Sequence, residues 1–181
     1  MSHLPIWYLG QISENKIDIA NQELKKIETK KATMGPNGES LDVVGRDTTV
    51  AFADFNHWFG LEMFEFAKNA NKNCNWDFDI NNHEALQYAE YGPKQHYNWH
   101  VDTFLLSGKI VDRKVTVVCL MNDPSEFQGG EFQVRLYQEY TAPLQKGSII
   151  AFPSFLEHRV TPIVSGVRYS ATMWLNGPRF K

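Results

Sequence analysis

The chain has little of what would commit it to a membrane, a disulfide scaffold or a nucleic-acid surface. Its 181 residues include two cysteines, Cys74 and Cys119, far from the CxxC spacing of zinc or redox pairs. Both sit in apolar or mixed surroundings and are expected to be reduced thiols that fill the core. No apolar run approaches the length needed to span a bilayer, so no membrane partner is expected. The stretch Leu4–Leu9 contains Pro5 and is too short for a secretory leader; the cytoplasm is the expected compartment. The formal charge is −3, without the clustered basic footprint of a nucleic-acid binder. Repeats, low-complexity tracts and linkers are missing from the sequence, and 1–181 reads as a single domain.

What is there is enough to build a core. Hydrophobic residues make up 43% of the chain and aromatics 13%, so the fold needs no staples. Residues 1–75 read as supporting helices and an edge strand. Ser13 is a candidate cap for a helix with Ile17, Ala20, Leu24 and Ile27 at spacings of three and four, ending near Met34-Gly35-Pro36. Residues 35–40 are loop by their Gly and Pro content. A strand is predicted over Thr48–Phe52. A second helix is predicted over 56–72, with Phe59, Met63, Phe66 and Ala70 on one side. From Trp76 the character changes. Short β-branched and aromatic runs cover 76–80, 85–91, 97–102, 114–121, 131–137, 147–152, 157–163 and 167–175. Asn122-Asp123-Pro124, Gln128-Gly129-Gly130 and Lys146-Gly147-Ser148 punctuate them. Strands at this spacing predict a mainly β sandwich with the N-terminal helices packed on one sheet. Residues 76–181 form its core and carry the site.

Two signals far apart carry the chemistry: His100-Val101-Asp102, and His158 followed ten residues later by Arg168. His-x-Asp with a distant histidine is the donor set of a mononuclear non-heme iron(II) site, two histidines and one carboxylate. Side chains alternate along a strand, so His100 and Asp102 point the same way, and His158 must come from another strand. Three protein ligands leave three positions on an octahedral metal. Two accept the carboxylate and carbonyl oxygens of a keto acid, and the third is left for oxygen. A cation at Arg168 suits the far carboxylate of a keto diacid.

Ser165-Gly166 marks a turn. With a three-residue loop Val164-Ser165-Gly166, Ile163 pairs with Val167, Pro162 with Arg168 and His158 with Thr172. His158, Pro162, Arg168, Ser170, Thr172 and Trp174 then share a face, with Arg168 roughly 13 Å along the strand from His158. A two-residue loop would put His158 and Arg168 on opposite faces. The bland alternatives are a hydrogen-bonded His-Asp pair, a structural histidine and a salt-bridged arginine. His3, His57, His83 and His96 read as structural or surface residues, and Glu131 as a residue following a tight turn.

Taken together, the motifs resemble a known family. Leu86-Gln87-Tyr88-Ala89-Glu90-Tyr91-Gly92, then Tyr97-Asn98-Trp99-His100-Val101-Asp102, resembles the iron-binding stretch of prolyl 4-hydroxylases. Arg113-Lys114-Val115-Thr116, Gly129-Gly130-Glu131 and Lys146-Gly147-Ser148 resemble its next landmarks. Phe152-Pro153-Ser154-Phe155-Leu156-Glu157-His158-Arg159-Val160-Thr161-Pro162, then Gly166-Val167-Arg168-Tyr169-Ser170, is similar to the bacterial and phage branch with a prolyl/lysyl hydroxylase-type domain. The resemblance covers 86–180, with a weaker likeness through Arg46–Phe52 and the helix after it. It implies a double-stranded β-helix, a jelly-roll or cupin-like sandwich. It also implies an iron(II)- and 2-oxoglutarate-dependent dioxygenase that uses oxygen, with ascorbate as an expected stimulant. His100, Asp102 and His158 would bind iron. Arg168 would take the far carboxylate of 2-oxoglutarate, where arginine offers a two-pronged fork, and Tyr91 would hydrogen-bond the same carboxylate. Tyr97, Arg113 and Trp174 match positions that line the family's substrate pocket.

Two departures narrow the branch. Ser170 and Trp174 follow Arg168 where DNA-repair demethylases carry an Arg-x-Asn-x-x-x-Arg pattern. Asp102 is present where halogenating relatives have a small residue. The expected reaction is hydroxylation of a C–H bond with release of succinate and carbon dioxide, on a prolyl residue of a peptide or protein. The same chemistry on a free amino acid or small metabolite is the alternative, followed by a non-catalytic metal- or ligand-binding module. A zinc hydrolase also uses three ligands but gives no reason for Arg168 and Tyr91. Loops 35–47 and 103–112 are candidate lids.

Overall fold

The computed structural model describes residues 5–33, 42–104, 110–143 and 145–179. The first helix, α1 (Glu14–Leu24), buries Ile17, Ala20 and Leu24 and starts at Ser13, whose side chain makes no capping hydrogen bond. It ends well before the predicted Met34. Beyond Leu24 the residues are mostly charged, although Ile27 still packs against the core. The chain closes through turn bonds from Lys25, Lys26 and Ile27, and Lys30–Lys31 finds backbone partners as a strand instead. The second helix, α2 (Trp58–Asn73), is close to the predicted span. It buries Phe59, Met63 and Ala70 as expected. Ala67 is buried in place of Phe66, whose ring packs at the edge against Tyr8.

Fifteen strands are described: β1 (Tyr8–Gln11), β2 (Lys30–Lys31), β3 (Arg46–Asp47), β4 (Thr49–Phe52), β5 (Asn82–His83), β6 (Gln87–Tyr91), β7 (His96–His100), β8 (Val111–Leu120), β9 (Phe127–Gly129), β10 (Phe132–Arg135), β11 (Glu139–Thr141), β12 (Ser148–Pro153), β13 (Glu157–Val160), β14 (Ile163–Gly166) and β15 (Arg168–Pro178). A large antiparallel sheet runs β1-β12-β8-β15-β6-β4-β2, with β5 also on β15. A smaller one runs β11-β10-β13-β7-β3, and β14 pairs with β9. The result is the expected jelly-roll sandwich, mainly β with helices on one face. β4 is the strand predicted near Thr48; of the other strands from the same part of the chain, β2 pairs with it, β1 pairs with β12 and β3 with β7.

The predicted run 76–80 is not a strand. The Asn71 side chain donates to the Phe78 carbonyl and accepts from its N–H, so these backbone groups need no ladder. Asn75 and Asp77 also sit at positive φ, which strands do not use.

Period-two alternation sorts the central strands between two cores. Val115, Val117 and Cys119 of β8 and Ala171 and Met173 of β15 pack under α1 and α2. Val118, Ala89, Tyr91, Phe132, Val134, Phe152 and Val160 fill the space between the sheets. Both cysteines are free and buried. On β15 the inward set is Arg168, Ser170, Thr172 and Trp174, the face predicted for them.

The hairpin predicted after His158 does not form. β13 pairs with β7 and β10 in the small sheet, whereas β15 pairs with β6 and β8 in the large one. Gly166 does take the left-handed backbone of a turn, φ 75°. However, β14 pairs with β9, and the chain then crosses the sandwich. Placing β15 between β6 and β8 gives its backbone partners on both sides, which a lone hairpin with β13 would not.

Candidate metal centre

His100 is the last residue of β7 and His158 lies in β13, paired directly with it. Asp102 follows β7, where its N–H donates to the Ser154 carbonyl at 2.9 Å. Ligand atoms of His100, Asp102 and His158 lie within 4.8 Å of one another. His100 Nε2 is 3.7 Å from Asp102 Oδ1, and His158 Nε2 is 3.3 Å from Oδ2. Asp102 and His158 are buried and His100 is half-buried.

The backbone selects which ring nitrogen faces inward. His100 Nδ1 donates to the Asn98 carbonyl at 2.7 Å, and His158 Nδ1 to the Leu156 carbonyl at 3.0 Å. A neutral ring with its proton on Nδ1 presents Nε2 as a bare lone pair. Two such lone pairs and a carboxylate then converge, an arrangement that calls for a cation. Burial, helped by nearby His158, pushes His100 down to about 3, so its ring is neutral near pH 7. Although burial opposes it, the neighbouring His158 and His100 hold Asp102 well below the usual carboxylate range. Two imidazoles that turn Nε2 inward and one ionised carboxylate are a donor set that fits iron(II) and leaves positions open.

Arg168 starts β15 opposite Tyr91 of β6. Among the described residues it is the largest fully buried side chain. Its Nε and Nη1 have no hydrogen-bond partner among the described residues, and burial pushes its guanidinium down to about 10. A buried cation with unused donors calls for an anion. The Tyr91 ring centroid is 5.7 Å from the guanidinium carbon. Arg168 lines one cavity with Leu120, Ile150, Val118 and Phe132. Val118 and Phe132 are also walls of the cavity that holds the two histidines, Asp102, Tyr91, Tyr97 and Trp174. The triad and Arg168, on opposite sheets, thus address neighbouring spaces.

The other expected residues take specific places. Tyr97 stacks on His100, centroids 3.4 Å apart. Trp174 donates its indole N–H to Asp102 Oδ2 at 2.7 Å. Arg113 binds Glu84 through two 2.6 Å hydrogen bonds, lies 3.9 Å over the Trp174 ring and is 3.9 Å from Asp102 Oδ1. Glu131 is exposed, where it accepts from Gln133. The candidate lid 103–112 is described only at its ends, where Asp112 accepts from the Thr103 hydroxyl and the Phe104 N–H; residues 105–109 lie outside the described residues. So do residues 34–41, which include most of the loop 35–47.

Sequence reasoning missed four residues. Arg46 and Gln87, joined at 3.2 Å, line the cavity. Thr116 and Ser154 are fully buried beside Asp102. A single threonine on the inward face of a valine-rich strand was a signal for Thr116; Ser154 had none.

Comparison with known proteins gives a consistent picture. The family model described as 2OG-Fe(II) oxygenase superfamily matches residues 86–176. A PKHD-type hydroxylase of Picosynechococcus sp. is 34% identical over 92 residues, 50% of this chain and 41% of that protein. The chain therefore matches about two-fifths of that relative's length. A Pseudomonas putida prolyl-4-hydroxylase superposes with TM-score 0.72 at 16% identity, covering 94% of this chain and 92% of that one. The viral collagen prolyl hydroxylase of Paramecium Bursaria Chlorella virus-1 gives TM-score 0.69 at 18% identity, with coverage of 96% and 97%. At such identities the two structures speak for the fold.

Proposed function

The chain belongs to the 2OG-Fe(II) oxygenase superfamily, and from that premise we propose that it is an iron(II)- and 2-oxoglutarate-dependent dioxygenase that hydroxylates a prolyl residue in a peptide or protein. The observation that carries the reading is the convergence of two Nδ1-tied histidines and Asp102 next to a buried arginine with unused donors. His100, Asp102 and His158 would hold the iron. Arg168, with Tyr91 opposite, would hold the far carboxylate of 2-oxoglutarate, whose charge offsets the burial of the guanidinium. When bound, iron(II), 2-oxoglutarate and oxygen supply the oxidising equivalents for hydroxylation, with release of succinate and carbon dioxide.

The chain's own residues do the rest. The carbonyls of Asn98 and Leu156 orient the ligand rings. Val118, Phe132, Phe152 and Val160 keep the surroundings apolar and limit water. Tyr97, Arg113 and Trp174 would border the substrate. The prolyl assignment draws support from the prolyl hydroxylases that share the fold.

The test is succinate formation by protein purified without oxygen, reconstituted with iron(II) and then given 2-oxoglutarate and oxygen. Iron-dependent succinate is expected, lost in His158→Ala and with zinc in place of iron. Proline-containing peptides and free amino acids, read by the mass gain of one oxygen, then separate the prolyl reading from a small-metabolite one. Absence of succinate across that panel, with ascorbate present, would favour a non-catalytic binding module.

A further inference from the structure

The Asp102 carboxylate is tied down by one oxygen. Oδ2 accepts from Thr116 Oγ1 at 2.8 Å and from Trp174 Nε1 at 2.7 Å. Oδ1 accepts no hydrogen bond from a described residue; His100 Nε2 and Arg113 Nη1 stand at ion-pair distance, 3.7 and 3.9 Å. A carboxylate oxygen offers about two lone-pair sites, so two donors occupy Oδ2 and leave those of Oδ1 open. His158 Nε2 also approaches Oδ2, at 3.3 Å, while its Nδ1 faces the Leu156 carbonyl.

The donors are built into the frame. Thr116 and Trp174 are register partners across β8 and β15, two central strands of the large sheet. Thr116 has a single hydroxyl proton, which goes to Asp102. The 2.9 Å contact between Thr116 Oγ1 and Ser154 Oγ must therefore be donated by Ser154. The chain runs in one direction, Ser154 to Thr116 to Asp102, and the Ser154 carbonyl takes the Asp102 N–H in return. The indole cannot reverse its bond, because Nε1–H is a donor only.

We propose that Thr116 and Trp174 are positioning residues that clamp Asp102 by Oδ2, so that Oδ1 is the single oxygen it presents to the metal. The inference rests on the metal-binding part of the function proposed above. Partners that orient metal ligands typically account for about 10- to 100-fold in affinity. The competing role is that of donors that only satisfy a buried carboxylate during folding. That role would lower the stability of the metal-free chain and leave metal affinity alone.

Cobalt(II) binding to the full chain, without 2-oxoglutarate, separates the two by calorimetry and by the visible absorption of the bound ion. Thr116→Val keeps the volume and Trp174→Phe keeps a ring under Arg113, and either one that folds decides. Each is expected to weaken cobalt(II) binding about 10- to 100-fold. Thr116→Ser, which restores the hydroxyl, should recover most of that loss. Unchanged affinity in the folded variants, or a serine variant as weak as the valine, overturns the proposal. His158→Ala is the control for the underlying reading. If the wild-type chain binds no more cobalt(II) than His158→Ala, the metal site falls and this inference with it. If the wild type binds and the clamp variants bind equally well, only the clamp falls.

Discussion

Tyr97 and His100 stack face to face, ring centroids 3.4 Å apart and planes 10° from parallel, although they are three positions apart on β7. Odd spacing should put them on opposite faces of a regular strand. The strand is irregular at this point. His158 pairs with His100 while Val160, two residues on, pairs with Tyr97, three residues back. A bulge carries the extra residue and turns both rings to one side. Tyr97 thereby braces His100 from within the same strand, and Arg46 lies 4.6 Å over the Tyr97 ring.

The brace should be measurable. Aromatic pairs of this kind contribute about 0.5–1.5 kcal/mol beyond buried area. Tyr97→Ala is expected to weaken cobalt(II) binding by about two- to twelvefold, and Tyr97→Phe to leave it near wild type. Equal affinities in the two variants, measured calorimetrically, would remove the stacking argument.

Arg168 depends on Gly130. That residue sits at φ 65°, and a Cβ there would meet Ile163 Cδ1 at 2.5 Å and Arg168 Cδ at 2.8 Å. Gly130→Ala should displace the guanidinium. The expected result is weaker 2-oxoglutarate binding with cobalt(II) affinity little changed. Arg168→Ala should go further. Loss of charge-assisted hydrogen bonds costs about 1.5–3 kcal/mol, about 10- to 150-fold in Kd. Titration of 2-oxoglutarate into the cobalt-loaded protein checks both. An undiminished affinity in Arg168→Ala would move the far carboxylate elsewhere.

Metal should stabilise the fold. A ligand at 100 times its Kd adds about 2.7 kcal/mol to folding stability if the unfolded chain does not bind it. Cobalt(II) or manganese(II) is therefore expected to raise the Tm of the wild-type chain, and a chelator to reverse the rise. His158→Ala should show neither effect. Equal shifts in both proteins would mean that the ions act elsewhere on the surface.

Acid should act through His100. Its folded pKa is depressed to about 3 from the ordinary 6.5. Below pH 6.5 the unfolded chain takes up a proton that the folded chain refuses, so metal-free stability falls as pH drops toward 3. The slope from one such group is about 1.4 kcal/mol per pH unit. Asp102, also depressed, adds to the loss only below its ordinary 3.8. Between these limits His100→Gln should unfold less readily with acid than the wild type. Denaturant titrations at several pH values would show it. Parallel stability curves for the two proteins would refute the assignment.

Much of the site was legible because it depends on local rules. The motif residues His100, Asp102 and His158 do converge, and alternation placed Arg168, Ser170, Thr172 and Trp174 on one face. The route between His158 and Arg168 was not legible. Ser165-Gly166 reads as a hairpin turn, and its glycine does adopt turn geometry. Whether the next strand returns beside β13 or crosses to the other sheet depends on partners far away in sequence, β6 and β8. For α1, spacing continued to Ile27, but the competing ladder with β4 ended the helix sooner. The stacking of Tyr97 on His100 was not legible either, since a bulge breaks the alternation that would have put the two rings on opposite faces.

The sequence by itself determined the donor set, the mainly β character and the inward face of β15. These follow from residue chemistry and from the period of two along a strand. The tertiary structure alone decided that the two histidines lie side by side in the small sheet while Arg168 faces them from the large one. It also decided that Tyr97 braces His100 and that Thr116, backed by Ser154, and Trp174 engage a single oxygen of Asp102. Those relations join segments that are distant in the chain. They depend on register and on which strands find each other, and neither is written in the local spacing of residues.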